Sequence, residues 1–478
     1  MMPYTFSTLP RARSVAERLT HGHREALHRR QTGRALVDDA QLPGLALLVD
    51  LDRLRDRLVS HRDWHVRRES SLEPMYVRYK PHTSCVIAYD LASPDAPEQK
   101  RLLYAKAYTE ADFPQAQAKA DRRAKASARP RAPVTSLEAD RVLVYAFPND
   151  AGLDALDLVS FPKKIQRILY RCADQYPESS WRLSDRRLRV TTIRYKPEKR
   201  AVIHLTTRAV HRQTGEKRTV VFYARTYADE RGADIFERMQ TIHMAAGRCD
   251  RLRVPRPLHY SGQRRWLFME EVAGVPLLDA TSSPRADLPV EPGAQALAAF
   301  HDLPADRIGG VTSRTRQDVL EDAFSAGRWL QSIGAGLQAP IDDVLQRLVR
   351  RAEQLAPVPW RLVHGDYHHG QILVSDRGSA IIDFDRTYLG DATADIGNFC
   401  AHMHVLQSEG RLDDGTAAAD RFVAAYEGAL GQSVPVDLLR FWTAIGLLQL
   451  AVRPARSLRA DWIEASEALV HLSREIMR

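Results

Sequence analysis

The residues best suited to chemistry form one polar segment, His364-Gly365-Asp366-Tyr367-His368-His369-Gly370-Gln371. Two short apolar runs follow at 372–374 and 380–382, and the Ser-Asp-Arg-Gly sequence between them is typical of a hairpin turn. Asp366 and Gln371 precede the first run, and Asp383 leaves the second. Because antiparallel pairing would bring the outer ends of the two runs together, we expect these three side chains to share one site.

The three side chains divide naturally between a metal ion and a proton. Asp383 and Gln371 offer a carboxylate and an amide oxygen, which suit a hard cation such as Mg²⁺ beside phosphates. Asp366 then remains free to accept a proton from a hydroxyl group. This is the division of labour in phosphoryl transfer, where positioning and charge neutralisation matter more than covalent catalysis.

Two alternatives are less favoured by the same residues. His364, His368, His369 and Asp366 could form a zinc hydrolase cluster, because histidine and carboxylate are zinc ligands. Their spacing does not match the common zinc patterns, however, and a zinc site would leave Asp383 unexplained. The segment could also be a purely structural polar turn.

The combination of H-G-D-x-H-x-x-Q with the run Ile382-Asp383-Phe384-Asp385 resembles the aminoglycoside phosphotransferase and choline kinase superfamily, which has a protein-kinase-like fold. Gln371 differs from the family's usual Asn by one methylene group. A glutamine at this position is also similar to the pattern of the maltokinase-like sugar kinases. The resemblance implies ATP and Mg²⁺ as cofactors. It implies that Asp366 aligns and deprotonates the acceptor hydroxyl, and that Asp383 and Gln371 hold Mg²⁺.

The resemblance also implies supporting residues around the catalytic loop. His364 would support the loop from behind, and Asp395 would receive backbone N–H groups from it. An ordinary acid at a helix N-terminus is the plainer interpretation of Asp395. Candidates for the wall that contacts the acceptor are Asp391, His402, His404 and Trp442.

A repeated pattern occupies the first half of the chain. Val77-Arg-Tyr-Lys-Pro81 and Ile193-Arg-Tyr-Lys-Pro197 are each followed by two apolar runs, a helical segment and another apolar run that leads into a loop. Recurrence of several elements in the same order predicts a duplicated unit. Each copy resembles the small lobe of the kinase-like fold, in which a lysine of the third strand contacts the nucleotide phosphates.

The second copy, adjacent to the catalytic segment, departs from the family pattern. It has Arg225 where the family has lysine, whereas the first copy keeps Lys106, for which we favour a structural role. Arginine preserves the charge and can hold phosphate. Glu237 is the predicted partner of Arg225, with Asp234 as second choice.

Two further features of the second copy bear on nucleotide binding. No glycine-rich loop is present, and Lys196 lies in its place, either contacting phosphates or lying in a solvated turn. By resemblance, the Met269-Glu-Glu271 segment supplies the hinge, and we predict that Met269 and Glu271 take part in nucleotide binding.

Length and composition are those of an ordinary globular protein. The chain has 478 residues, 44% hydrophobic and 27% charged, a length that predicts about three units. The net charge of +9 permits nucleic-acid binding, but the basic residues are scattered, so we interpret the charge as solvated surface. We predict a cytoplasmic protein with no membrane segment. The four cysteines lie far apart, and we find no leader and no apolar run of about 18 residues. The sequence leaves the oligomeric state open.

We therefore predict an α+β, bilobal, protein-kinase-like fold with a duplicated antiparallel small lobe and a helical catalytic lobe. The predicted limits are a helical extension (1–40), a first copy acting as a cap (41–158), a second copy covering the nucleotide (159–275) and the catalytic lobe (276–478). The predicted activity is transfer of a phosphoryl group from ATP to a hydroxyl of a small polar molecule, with a sugar or sugar-containing metabolite preferred. The alternatives are an aminoglycoside kinase and a catalytically silent binding module.

Overall fold

A computed structural model describes residues 39–125, 133–173, 180–183, 188–247, 249, 251–281, 287–334, 336–457 and 459–478. All but the last two residues of the predicted helical extension, 1–40, lie outside this range. Within it, antiparallel sheets dominate up to residue 270 and helices dominate from residue 291. The predicted α+β class with a sheet-rich part and a helical lobe is confirmed.

The first sheet contains five strands, β1 (Ser71–Lys80), β2 (Ser84–Ser93), β3 (Ala96–Tyr108), β4 (Val134–Leu137) and β5 (Val142–Ala146). They run antiparallel in the order β1-β2-β3-β5-β4. Helices α1 (Leu45–Val49) and α2 (Leu51–Val59) precede the sheet, and α3 (Phe113–Lys125) is inserted after β3. Leu54 and Leu58 of α2 are buried because their i, i+4 spacing places them on one helix face, which covers the sheet.

The second sheet follows helix α4 (Pro162–Ala173) and contains β6 (Trp181–Leu183), β7 (Arg189–Lys196), β8 (Arg200–His211), β9 (Lys217–Tyr227), β10 (Pro257–Ser261) and β11 (Trp266–Glu270). Strands β6 and β7 both pair with β8, and the order continues β8-β9-β11-β10. Helix α5 (Gly232–Ala246) is inserted after β9, at the same point as α3 in the first sheet.

The two sheets share their strand order and their register. Lys106 of β3 lies opposite Val86 and Leu143, and Arg225 of β9 lies opposite Val202 and Leu267 in the corresponding strands. The amide of Tyr108 donates to the carbonyl of Arg141, and that of Tyr227 donates to Arg265, each at 3.0 Å. Lys106 and Arg225 therefore occupy equivalent positions in the two sheets.

The turns of the first hairpins also correspond. His82 and Glu198 follow the two Lys-Pro pairs with φ of 57° and 60°. The amide of His82 donates to Asp39, which also accepts the Tyr79 hydroxyl. Asp150 accepts the Glu198 amide and the Tyr195 hydroxyl in the same way. These matches extend the repeat upstream to Asp39 and Asp150, while the limits 41–158, 159–275 and 276–478 remain predictions.

The two sheets share a hydrophobic core. Tyr104 and Leu143 of the first sheet belong to the same buried cluster as Phe222 and Trp266 of the second. Residues two apart on a strand face the same side, so Lys106 lies on the side of β3 that Tyr104 presents to the second sheet. Lys106, the equivalent of Arg225 in the first sheet, therefore faces the second sheet.

The helical lobe contains α6 (Glu291–His301), α7 (Arg316–Gln331), α8 (Gln338–Gln354), α9 (Thr393–Ser408), α10 (Gly415–Leu430), α11 (Val436–Leu450), α12 (Arg453–Arg456) and α13 (Trp462–Ile476). Short strands complete it: β12 (Val275–Pro276), β13 (Thr312–Ser313), β14 (Arg361–Val363), β15 (Ile372–Ser375), β16 (Gly378–Ile381) and β17 (Tyr388–Gly390). Strands β15 and β16 pair antiparallel from Ile372 opposite Ile381 to Ser375 opposite Gly378, which confirms the predicted hairpin.

No helix among the described residues is long and apolar enough to cross a membrane. Cys85, Cys249 and Cys400 are free thiols. The side chain of Cys172, the remaining cysteine, lies outside the described part of the chain.

Candidate active site

The β15–β16 hairpin brings the predicted catalytic residues to one place. The amide of Ile382 donates to the carbonyl of Gln371 at 3.0 Å, so Gln371 and Asp383 lie at the open end of the hairpin. His364 contacts the carbonyl of Ile382 at 3.0 Å through Nε2, and its Nδ1 accepts the amide hydrogen of Asp366. His364 is fully buried and therefore fixes the loop carrying Asp366 against the hairpin end carrying Asp383.

A second buried group holds the loop from the opposite side. Asp395, at the start of α9, accepts the amide hydrogens of His364 at 2.6 Å and Gly365 at 2.9 Å. Its Oδ2 also lies 3.0 Å from Nε2 of His301, whose Nδ1 contacts the Tyr426 hydroxyl. Asp395 is 1% exposed. Three helices, α6, α9 and α10, thus fix the backbone of the loop.

Gly365 is required by the crossing of two loops. Its φ is +79°, and a Cβ atom at this position would lie 2.4 Å from the carbonyl oxygen of Arg386. Any side chain would therefore combine left-handed backbone strain with a backbone clash. The glycine lets the loop carrying Asp366 pass directly over the chain that follows Asp385.

His368 orients the amide of Gln371. The His368 Nδ1 accepts the amide hydrogen of Gly370 at 3.0 Å, and its Nε2 lies 3.3 Å from the side-chain nitrogen of Gln371. Burial lowers the pKa of His368 to about 4, so the ring is neutral and can accept at one nitrogen only. Nε2 then carries the hydrogen and faces the Gln371 nitrogen, which is also a donor. Exchanging the nitrogen and oxygen of the Gln371 amide would turn this contact into a hydrogen bond.

Arg225 and Arg200 reach from the second sheet to the end of the hairpin. Arg225 Nη1 lies 2.8 Å from Asp383 Oδ1 and also pairs with Asp385, and Arg200 pairs with Asp385 at 2.8 Å and with Asp383 at 3.5 Å. Burial opposes charge on Asp383, but the two guanidinium groups hold the pKa of its carboxyl well below the usual range. Asp383 is therefore anionic, and two cations from the small lobe face it.

The predicted partner of Arg225 is not the one observed. Among the described residues, Arg225 forms its ion pairs with Asp383 and Asp385, and Glu237 takes no part in them. The Glu237 carboxylate lies instead against Gly309, and the Asp234 carbonyl lies against Gly310. The reason is geometric, because α5 packs this face on the 309–310 segment while Arg225 extends towards the hairpin.

Arg238 of α5 is a site residue that the sequence analysis did not identify. It donates through Nε to the Gly310 carbonyl at 2.9 Å and through Nη1 to the carbonyls of Phe384 at 3.0 Å and Asp385 at 3.2 Å. It is 8% exposed. Arg238 therefore joins α5 to the segment that carries Asp383. The sequence feature that could have identified it is an arginine on the buried face of a predicted helix.

Replacing Arg238 with methionine should lower the free energy of unfolding by about 2 kcal/mol, because buried carbonyls lose their donor. Urea denaturation followed by tryptophan fluorescence measures the change. Arg231→Met is the matched control, since Arg231 pairs only with Asp229 among the described residues and is 61% exposed; it should change stability by less than about 0.5 kcal/mol. Equal effects of the two substitutions would contradict an anchoring role for Arg238.

Lys196 and Arg194 complete a cationic face above the acids. Burial, followed by the positive charges of Arg194 and Arg200, lowers the pKa of Lys196 to about 7. The charges of Asp383 and Asp366 act on the same lysine in the opposite direction. Lys196 thus lies within electrostatic range of both acids and is poised to change charge near neutral pH.

The predicted hinge residues lie at the end of β11. Met269 is 7% exposed and pairs with Tyr223 of β9, and the ladder ends with Glu270 opposite Phe222. Glu271 follows the last strand residue and is exposed. Its main-chain groups therefore lie beyond the ladder, as a hinge contact with a base would require.

Three of the four proposed acceptor-wall residues are buried. The Trp442 indole donates to Asp391 at 2.8 Å, and their exposed fractions are 3% and 8%. His402 stacks on His368 with ring centroids 4.4 Å apart. The His402 contact supports the catalytic loop, and the burial of all three side chains leaves little surface for an acceptor. His404 is partly buried on the same helix.

The zinc alternative does not fit the predicted ligands. His364 uses both ring nitrogens within the protein. The three histidines whose nitrogens do lie within 4.8 Å of one another are His368, His369 and His402. The first and last of these stack face to face, whereas ligands of one tetrahedral ion converge on it from different directions.

Residues 203–434 match a family model described as the phosphotransferase enzyme family, APH. This part of the chain belongs to the phosphotransferase enzyme family. The matched segment contains Arg225, Asp366, Asp383 and Asp395, whereas Arg194, Lys196 and Arg200 precede it. The protein is accordingly a small-molecule phosphotransferase. A search of curated proteins gave no match.

Solved structures of aminoglycoside phosphotransferases are similar to this chain. APH(4)-Ia is 15% identical, with a TM-score of 0.46 over 66% of this chain and 98% of its own. APH(2")-IIIa, solved with GDP and kanamycin, is 15% identical, with a TM-score of 0.42 over 65% and 99%. APH(3'')-Id from Streptomyces rimosus is 18% identical, with a TM-score of 0.36 over 60% and 98%. Between 34% and 40% of the present chain lies outside these three comparisons.

Proposed function

We propose that this phosphotransferase moves the γ-phosphoryl group of ATP to a hydroxyl of a small polar molecule, and that it works in the cytoplasm. The observation that carries the proposal is the meeting of Arg225 and Arg200 with Asp383, beside Asp366. Positive charge from the small lobe, an anionic acid and a separate exposed acid are the parts that phosphoryl transfer requires. Complexes of APH(4)-Ia with ADP and AMP-PNP are consistent with a nucleotide substrate here.

Each residue has a proposed part in the reaction. Asp383 and Gln371 are oxygen donors that fit Mg²⁺, and the ion would neutralise charge on the phosphates when bound. Arg225 and Arg200, which pair with Asp383, would also contact the phosphates, which guanidinium groups bind well. Asp366 is 37% exposed and would align the acceptor hydroxyl and take its proton. Met269 and Glu271 would contact the base.

Nucleotide affinity should fall as pH rises through neutrality. Lys196 has a pKa of about 7 in the free protein, and a bound polyphosphate favours its charged form, so binding takes up a proton above pH 7. The dissociation constant for ADP should rise by about tenfold from pH 7 to pH 8.5 if the bound lysine regains its ordinary pKa. Calorimetry in buffers of different ionisation enthalpy measures both quantities. Lys196→Met should flatten this dependence, and an unchanged slope would exclude Lys196 as its source.

The acceptor side of Asp366 is basic. Arg386, 70% exposed, approaches Asp366 to 4.0 Å, and the charge of Arg386 acts on neighbouring Arg456. Tyr76 of the first sheet lies beneath Lys196, 6.0 Å from ring centroid to Nζ. Cationic neighbours disfavour a polycationic acceptor, and a tyrosine ring suits the apolar face of a sugar. We therefore prefer a neutral or acidic sugar over an aminoglycoside, although APH(4)-Ia and APH(2")-IIIa were solved with hygromycin B and kanamycin.

The first experiment measures the thermal midpoint with and without excess Mg²⁺-ATP, for the wild type and for Asp383→Asn. Specific binding should stabilise the wild type by about 3 kcal/mol at a hundredfold excess over the dissociation constant. The stabilisation should require Mg²⁺ and should vanish in Asp383→Asn. Asp376→Asn, in the exposed turn of the same hairpin, is the matched control and should respond like the wild type.

Failure of the wild type to respond at millimolar nucleotide would favour the catalytically silent binding module. A positive response leads to an assay of ADP release with neutral sugars, acidic sugars and aminoglycosides. Turnover restricted to aminoglycosides would contradict the preference for sugars while leaving the kinase proposal intact.

A further inference from the structure

A cavity of about 530 Å³ lies beside Lys106 of the first sheet. It is bounded by the end of β3, by one face of α3 and by the segment 149–152, and Glu198 enters it from the second sheet. Its size falls within the usual range of about 300–1,000 Å³ for small-molecule pockets. It lies outside residues 203–434, the part of the chain that matches the family.

The cavity lining carries more positive than negative charge. Its charged residues are Lys106, Lys119, Arg122, Arg123, Asp112 and Glu198. Lys106 pairs with Glu198 at 2.9 Å, and Arg123 pairs with Asp154. Lys119 and Arg122 form no ion pair with any residue that the structure describes. Two cations without an ion pair and one carboxylate, Asp112, therefore line a pocket that also offers the rings of Tyr108 and Tyr145.

The position of the cavity repeats that of the active-site cleft. Lys106 is the equivalent of Arg225, and Arg78, in the first Arg-Tyr-Lys-Pro sequence, is the equivalent of Arg194 in the second. In each sheet an acid from the next part of the chain meets these cations. Glu198 pairs with Lys106 and Arg78, as Asp383 pairs with Arg225.

We propose that this cavity is a second binding site, for a phosphate-bearing small molecule of nucleotide size. Its phosphate groups lie against Lys106, Lys119 and Arg122 and replace the Glu198 carboxylate, while Tyr108 and Tyr145 contact the remainder of the ligand. The Glu198 carboxylate holds Lys106 in the same way that Asp383 holds Arg225. The inference uses the equivalence of the two sheets and is independent of catalysis in the cleft.

Titration calorimetry of the full chain with inorganic pyrophosphate and with ADP, both without divalent metal, tests the proposal. Arg225→Met provides a background in which the active-site cleft has lost its central cation. In that background we expect one equivalent of ligand to bind. Adding Lys119→Gln and Arg122→Gln, both on exposed positions of α3, should weaken binding at least about tenfold. ADP binding more tightly than pyrophosphate would identify a nucleotide, and equal affinities would identify a simple phosphate ligand.

The matched control is Lys163→Gln with Arg350→Gln, which removes one lysine and one arginine from exposed positions elsewhere and should leave affinity within about twofold. Equal affinities for cavity and control variants would overturn the proposal, as would no binding in the Arg225→Met background. The wild type is titrated in the same way, so that the test does not depend on the folding of Arg225→Met. In the wild-type background, the cavity substitutions should remove one of two binding events. If Mg²⁺-ATP did not stabilise the wild type, the proposed function would be refuted, but the evidence for the second binding site would be unaffected.

Discussion

Asp366→Asn should lower kcat by about a thousandfold, the magnitude expected when a positioned general base is lost. Asparagine keeps the size of the side chain but cannot accept the hydroxyl proton. The dissociation constant for Mg²⁺-ATP should stay within about twofold of wild type, because the residues proposed to contact the nucleotide and its metal are Arg225, Lys196 and Asp383. Coupled measurement of ADP release gives kcat, and calorimetry gives the affinity.

Asp376→Asn, in the turn of the β15–β16 hairpin, is the control for the same chemical change. It is exposed and should leave both quantities unchanged. If Asp366→Asn retained more than about a tenth of wild-type kcat, proton acceptance by Asp366 would not be the source of catalysis.

Asp395→Ala should lower the free energy of unfolding by about 4 kcal/mol, because it removes a buried acceptor shared by the amides of His364 and Gly365 and by the His301 ring. The urea midpoint reports this loss. Asp395→Asn should be intermediate, because one side-chain oxygen remains to accept a backbone hydrogen.

Asp437→Ala is the matched control for Asp395→Ala, since Asp437 also lies in the first turn of a helix but is 59% exposed in its pair with Arg351. Its effect should be below about 1 kcal/mol. If Asp395→Ala were as mild as this control, its hydrogen bonds would have no net role in holding the loop.

Local pattern was sufficient to predict the hairpin and the region of the site. Turn residues between two apolar runs specify antiparallel pairing, and pairing fixes which polar residues meet at the open end. The repeat was equally visible, because both copies keep the Arg-Tyr-Lys-Pro sequence. The catalytic roles of Asp366, Gln371 and Asp383 remain predictions.

Contacts between distant parts of the chain could not be predicted in the same way. Whether Arg225 meets Glu237 or Asp383 depends on how α5 and the hairpin pack, and neither local periodicity nor spacing encodes that choice. Arg238 and Arg200 were missed as specific partners for the same reason. The wall residues Asp391 and Trp442 were misplaced because a polar residue near a catalytic motif can equally be a buried support.

The core shared by the two sheets has a consequence for where this protein can be divided. The family match begins at residue 203, inside β8, and a fragment starting there would lack β7 and most of the apolar cover of the second sheet. Leu205, Phe222 and Trp266, buried against the preceding parts of the chain, would face water and favour aggregation. The boundary set by sequence similarity is therefore not a boundary of folding, and the region before it is part of what makes the family segment stable.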